Sequence, residues 1–188
     1  MKNSARASKK SKAQDFKGLI QVYTGDGKGK TTAALGLALR AAGYNLRTYI
    51  GQFLKGQHYG ELDSVKMLSP LVTIEQFGRK KFIKVTEGFE EQDQKLAEQG
   101  LKKCLKAMLG GQYDIVILDE INVAMYFGLV KEEDVLKFLD RKPDTVEVIL
   151  TGRYAPASII ERADLVTEMV NRKHYYDRGV QGRKGIEK

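Results

Sequence analysis

From Gly18 onward the chain alternates short apolar runs with longer amphipathic ones. The short runs predict strands at 19–23, 47–52, 72–76, 115–118, 146–151 and 165–170. The amphipathic stretches predict helices at 31–42, 91–109, 131–141 and 157–163, the first of them ended by Gly43. Within 91–109, Ala97, Leu101, Cys104, Leu105 and Met108 recur at helical spacing, which makes Cys104 a small core residue. The run 115–118 is unbroken Ile-Val-Ile-Leu bounded by acids, the pattern of a strand buried on both faces. Strands that alternate with helices imply crossover connections and a mostly parallel sheet flanked by helices, an α/β fold.

Composition narrows this picture further. A chain of 188 residues fits one domain, preceded here by a tail at 1–17 that is rich in Lys, Ser and Ala and almost free of large apolar side chains. The domain is expected over 18–188, with a basic segment at 171–188. No apolar run approaches the ~20 residues of a membrane span, and 1–17 lacks the apolar core of a secretory signal. One cysteine rules out an internal disulfide framework and a multi-cysteine zinc site. The expectation is a soluble cytoplasmic protein.

The net charge of +8 suggests a polyanion partner until it is divided along the chain. Residues 1–17 hold +5 and residues 171–188 hold +4, which leaves −1 for 18–170. A near-neutral body argues against nucleic acid and favours solvated basic ends, or a C-terminal segment folded over an anionic small molecule.

The densest chemical signal is Thr24-Gly25-Asp26-Gly27-Lys28-Gly29-Lys30-Thr31-Thr32, which follows a predicted strand and opens a predicted helix. This is the context of a P-loop. Its glycines let several backbone N–H groups converge on one anion, and the helix N-terminus adds partial positive charge. Lys30 supplies an ammonium for phosphate oxygens, and the Thr31 hydroxyl is suited to Mg²⁺. Thr24 stands where G-x-x-x-x-G-K-[ST] has its first glycine. Two lysines in one short loop, Lys28 and Lys30, should repel each other unless an anion lies between them. Downstream, the strand at 115–118 runs into Asp119-Glu120, a pattern that places an acid beside the metal of a bound nucleotide. The architecture expected is that of a P-loop NTPase of RecA-like type, binding a Mg-nucleotide. Hydrolysis with a water oriented by Glu120, or phosphoryl transfer to an acceptor, is open on these residues alone.

A longer set of stretches resembles the P-loop ATP:corrinoid adenosyltransferases. It comprises Val22 through Ala34, Gln52-Phe53-Leu54-Lys55-Gly56, Val116-Ile117-Leu118-Asp119-Glu120, Leu150-Thr151-Gly152-Arg153, Ala163-Asp164-Leu165-Val166-Thr167-Glu168, and Lys173-His174-Tyr175-Tyr176-Asp177-Arg178-Gly179-Val180. The resemblance implies transfer of the 5′-deoxyadenosyl group of ATP to the Co(I) of a corrinoid, with release of triphosphate. The corrinoid would be reduced cobalamin, cobinamide or cobyrinic acid diamide, with electrons from a reductase or reduced flavin. A homodimer and a Mg²⁺ or Mn²⁺ ion are also implied. So is ATP bound in the reverse of the usual P-loop direction, with which the altered glycine pattern agrees.

Carried over by position, Gly25, Asp26, Gly27, Lys28, Gly29, Lys30, Thr31 and Thr32 hold the nucleotide, and Lys30 and Glu120 are the catalytic pair. Thr31 and Glu120 serve the metal with Asp119 behind or beside them, and His174 contacts the sugar or the corrinoid. Gln52, Phe53 and Lys55 are candidates to line the pocket, with Phe53 equally readable as core. Arg153 is readable as an anion contact or as a surface ion pair. Where many relatives carry T-G-F-T-W, this chain has Gln76-Phe77-Gly78-Arg79-Lys80-Lys81-Phe82-Ile83 and no Trp. Phe77 or Phe82 is therefore the candidate apolar plate for the lower face of the cobalt.

Overall fold

The computed structural model describes residues 17–80 and 88–187. The strands are β1 (Ile20–Thr24), β2 (Thr48–Phe53), β3 (Val72–Phe77), β4 (Ile115–Asp119), β5 (Glu147–Thr151) and β6 (Leu165–Glu168). The helices are α1 (Lys30–Ala42), α2 (Gly60–Met67), α3 (Glu91–Leu109), α4 (Ile121–Tyr126), α5 (Glu132–Asp140) and α6 (Ala157–Arg162), followed by a 3-10 turn at Tyr175–Arg178. Every strand and helix expected from periodicity is present, within two residues at either end. The tail expected at 1–17 lies almost wholly outside the described residues, and so does Phe82.

All strand pairings are parallel, in the order β3-β2-β4-β5-β1-β6. The α/β expectation is met. The pleat of β4 explains the two-layered core: Val116 and Leu118 face the cluster built with α3, α4, α5 and α6. Ile115 and Ile117 face the second cluster, built with Ala34, Ala38, Ala41 and Ala42 of α1 and Val65 of α2. Each of the Val, Ile and Leu side chains among these, fully buried, stabilises the fold by about 1.5–3 kcal/mol. Cys104 is completely buried in the first cluster, as its helical spacing predicted.

Two elements were not expected. The helix α2 buries only Val65, so its apolar positions carry no period. The helix α4 is a six-residue turn directly after Glu120. Among the described residues no helix is long and apolar enough to cross a membrane.

A parallel sheet gathers the C-terminal ends of its strands at one edge, where α/β ligand sites form. Register makes this specific here: Gln52 of β2 pairs with Asp119 of β4, and Tyr23 of β1 pairs with Thr151 of β5. Strand β5 therefore stands between the strand that feeds the P-loop and the strand that carries the acids.

Candidate functional site

The loop after β1 is wedged against the end of β6. Gly27 donates its N–H to the Met169 carbonyl at 2.6 Å. A Cβ on Gly25 would sit 2.5 Å from that same carbonyl oxygen, and one on Gly27 2.7 Å from it. Gly25 also holds φ +89°, a backbone that L side chains rarely adopt. The loop thus needs glycine at both positions for reasons of space.

Lys30 is buried at the start of α1, with its Nζ donating to the carbonyls of Gly25 at 2.6 Å and Gly27 at 2.8 Å. Burial draws its pKa below the ordinary lysine value. Lys28 points elsewhere. Its Nζ donates to Glu187 at 3.0 Å, the Tyr175 hydroxyl at 3.2 Å and the Ile186 carbonyl at 3.3 Å. The hydrogen bonds to Glu187 and Tyr175 raise its pKa. The expected repulsion between the two loop lysines is therefore relieved by an internal anion, Glu187, which Arg183 and Tyr175 also hold.

Asp119, 1% exposed at the end of β4, is the hub of the site. Its Oδ1 accepts from the hydroxyls of Thr31 at 2.8 Å and Thr151 at 2.7 Å. Its Oδ2 accepts from Lys55 Nζ at 2.8 Å and Gln52 Nε2 at 3.2 Å. Burial alone would raise its pKa, but Lys55 and the hydroxyls more than offset that and hold it below the usual carboxylate range. For Lys55, likewise, burial would lower the pKa, and Asp119 with Glu120 and Glu61 raises it instead.

Glu120 is shifted the other way: burial, then the Asp119 charge, push its carboxyl up. Its backbone is left-handed, at φ 65°. That conformation costs a non-glycine residue of order 1–3 kcal/mol and is typical of functional positions. The Glu120 N–H donates to Thr151 Oγ1 at 3.0 Å, which holds the strained turn in place.

These groups open on one cleft of about 850 Å³, in the size range of small-molecule sites. The residues of the loop from Asp26 to Thr32 form its floor, and Lys55, Glu61, Glu120 and Arg153 line its side. His174 and the stretch 185–187 close it from the C-terminal segment. His174 Nδ1 accepts from the Tyr176 N–H at 3.0 Å, so in the neutral ring Nε2 carries the proton and is a donor.

The family model for ATP:corrinoid adenosyltransferase BtuR/CobO/CobP matches residues 16–187. A corrinoid adenosyltransferase of Sinorhizobium sp. is 35% identical over 195 residues, covering 99% of this chain and 87% of that protein. The chain belongs to the ATP:corrinoid adenosyltransferase family. The corrinoid adenosyltransferase of Escherichia coli K12 is 35% identical over 176 residues, covering 93% of this chain and 88% of its own length. A solved KaiC-like protein from Pyrococcus horikoshii superposes with a TM-score of 0.53 over 90% of this chain and 76% of that one. At 16% identity that likeness is one of fold.

For this member of the adenosyltransferase family, the residues picked out by sequence converge. The loop from Asp26 to Thr32, Glu120 and His174 share the cleft, and Asp119 sits directly behind Thr31. Asp26 and Thr32 are exposed at its rim. Arg153 lines the cleft and makes the surface ion pair suggested for it, reaching Asp26 through the backbone oxygen at 3.3 Å and the carboxylate at 3.8 Å. Phe53 is core, fully buried. Phe77 is core as well, 6% exposed with its ring 5.9 Å from that of Phe53, so it does not offer a plate to a corrinoid. Thr151, quoted only within the Leu150-Thr151-Gly152-Arg153 stretch, and Glu61 and Glu187 carry no role in the sequence reading. The signal for Thr151 was a lone hydroxyl closing a buried strand; Glu61 and Glu187 had none.

Proposed function

We propose that this chain transfers the 5′-deoxyadenosyl group of ATP to the Co(I) of a reduced corrinoid and releases inorganic triphosphate. The carrying observation is the convergence of the P-loop, Thr31 and Glu120 on one nucleotide-sized cleft, with Asp119 hydrogen-bonded behind Thr31, in a chain of this family. The nucleophile belongs to the substrate. Co(I) delivers an electron pair to C5′ of ATP, a Co–C bond forms, and the C5′–O bond breaks with its pair leaving on triphosphate. The protein's task is then to present C5′ and to stabilise the charge gathering on the leaving group. Consistent with this division, Cys104 is sealed in the core, and burial pushes its thiol pKa well up.

Each residue takes a role on this reading. The N–H groups of the loop and the N-terminus of α1 hold the polyphosphate. Lys30 turns from the Gly25 and Gly27 carbonyls to a phosphate oxygen. The His174 Nε2 proton and the Arg153 guanidinium face the nucleotide from the opposite wall. ATP runs with its ribose away from the loop's usual orientation, toward the corrinoid.

Thr31, Asp119 and Glu120 are hard oxygen donors, and among the described residues no group of three or more His, Cys, Asp or Glu is arranged to hold a metal. That set fits Mg²⁺ or Mn²⁺ held by one or two carboxylates and the substrate's own phosphates. When bound, such an ion supplies neutralisation of the triphosphate charge. A homodimer and a reductase or reduced flavin as electron source are part of the same proposal, supported by the family resemblance.

The test is direct. Purified protein with ATP, Mg²⁺ or Mn²⁺ and chemically reduced corrinoid should yield a light-sensitive Co–C product and one intact triphosphate per turnover. Release of ADP and orthophosphate without alkylated corrinoid would instead identify a nucleotide hydrolase or kinase.

A further inference from the structure

Among the described residues Lys55 is the one cation paired with Asp119, and the way it does so has the shape of a metal site. Its Nζ lies 2.8 Å from Asp119 Oδ2, 3.5 Å from Thr31 Oγ1 and 3.9 Å from Glu61 Oε1. Three oxygens from three elements thus surround one positive charge, and two of those three belong to the residues assigned to the divalent ion. The Lys55 side chain is 16% exposed, so solvent does little to compete for it.

The backbone beside Lys55 is built to hold this pose. Leu54 adopts a left-handed φ of 61°, a strained choice for a leucine. The same stretch is wedged against the backbone that leaves β3 at Gly78. A Cβ on Gly78 would fall 2.5 Å from the Leu54 carbonyl carbon, and one on Gly56 would fall 2.2 Å from the Gly78 oxygen. In that same pose the ammonium also lies 5.4 Å from the centroid of the Tyr59 ring.

Resting on the metal site argued above, we propose that Lys55 is a positioning residue that stands in for the divalent cation. Without nucleotide its ammonium occupies the cation's place at Asp119 and keeps free metal out. The position is given up only to a metal–triphosphate, whose negative charge takes over the ammonium as the metal takes its place. Cation and nucleotide then enter together, and the buried Asp119 is never left without a counter-charge.

Mn²⁺ binding, read by loss of the free-ion electron paramagnetic resonance signal, tests this without turnover. Wild-type protein should bind Mn²⁺ weakly alone and tightly with ATP. Lys55→Gln should bind Mn²⁺ without nucleotide at least about tenfold more tightly than wild type, because an unpaired buried carboxylate then seeks a cation. Lys55→Arg, which keeps the charge, should exclude Mn²⁺ as wild type does. Equal nucleotide-free affinity in wild type and Lys55→Gln overturns the inference while leaving the metal site standing, provided ATP still recruits Mn²⁺ to wild type. Failure of ATP to recruit Mn²⁺ to wild type overturns both. Should Lys55→Gln be unfolded without metal, the same titration is followed by circular dichroism: Mn²⁺ is expected to restore the fold, and no recovery overturns the inference.

Discussion

Replacing Lys30 by alanine separates the chemistry of the loop from its folding. The Nζ makes two hydrogen bonds, both to loop carbonyls, at 2.6 and 2.8 Å. A typical hydrogen bond of this kind contributes about 0.5–1.5 kcal/mol to stability. Part of that loss is returned, because the variant no longer buries a charge whose pKa is depressed by its surroundings. The expected change in folding stability is therefore below about 2 kcal/mol. Catalysis should suffer more. The ammonium is proposed to meet charge that develops only as triphosphate departs, and loss of one such contact costs about 10²–10³ in rate, or roughly 2.7–4 kcal/mol. Single-turnover formation of the Co–C bond at saturating ATP and corrinoid measures the rate, and thermal denaturation of the same preparation measures the fold. A folded Lys30→Ala protein that works within a few-fold of wild type would refute the placement of the leaving group at this loop.

Three further substitutions probe other parts of the structure. Because burial and Asp119 raise the Glu120 carboxyl, the native state binds its proton more tightly than the unfolded chain. Wild-type stability must then fall as pH rises from the ordinary carboxylate range through the raised value. Glu120→Gln should remove that fall and be more stable than wild type at pH 7 yet inactive; denaturant titrations across pH decide it, and a less stable variant counts against the assignment. Gly27→Ala places a Cβ 2.7 Å from the Met169 carbonyl and should lower folding stability by about 1–3 kcal/mol, measured by denaturant unfolding; unchanged stability would show the loop free of β6. Asp93 is 2% exposed, caps α3 through the Glu90 N–H and takes two hydrogen bonds from Arg79 at 2.7 and 2.8 Å. Asp93→Ala should cost about 2–4 kcal/mol, and a loss under ~0.5 kcal/mol in thermal or denaturant unfolding would contradict the pairing.

What could be read in advance depended on how local each signal is. The strands and long helices announce themselves because their burial period is written in consecutive residues, as in 91–109 and 115–118. The P-loop is legible for the same reason: Gly25, Gly27, Gly29, Lys30 and Thr31 are neighbours in the chain. The ring of donors around Asp119 is not. Gln52, Lys55 and Thr151 each look like an ordinary polar residue at a strand end, and only the sheet order and register bring them to one carboxylate. Lys28 misleads for a related reason, since the anion that quiets it, Glu187, lies 159 residues further on. Strand β6 stops at Glu168 rather than continuing to 170 because its partner β1 ends at Thr24, where the chain turns into the P-loop.

The adjacent acids Asp119 and Glu120 show how backbone geometry assigns different work to similar side chains. Were β4 to continue as an extended strand, consecutive residues would point to opposite faces of the sheet. Glu120 turns left-handed instead, at φ 65°. Thr151 then binds both residues, donating to Asp119 Oδ1 at 2.7 Å and accepting from the Glu120 N–H at 3.0 Å. One hydroxyl on the intervening strand β5 thereby fixes Asp119 inward, among four donors, and leaves Glu120 on the cleft. Their pKa shifts diverge accordingly, downward for the acid with partners and upward for the one beside it. A pair that reads as a simple doublet in sequence becomes two acids shifted in opposite directions, and the strand inserted between P-loop and acids is what makes that division possible.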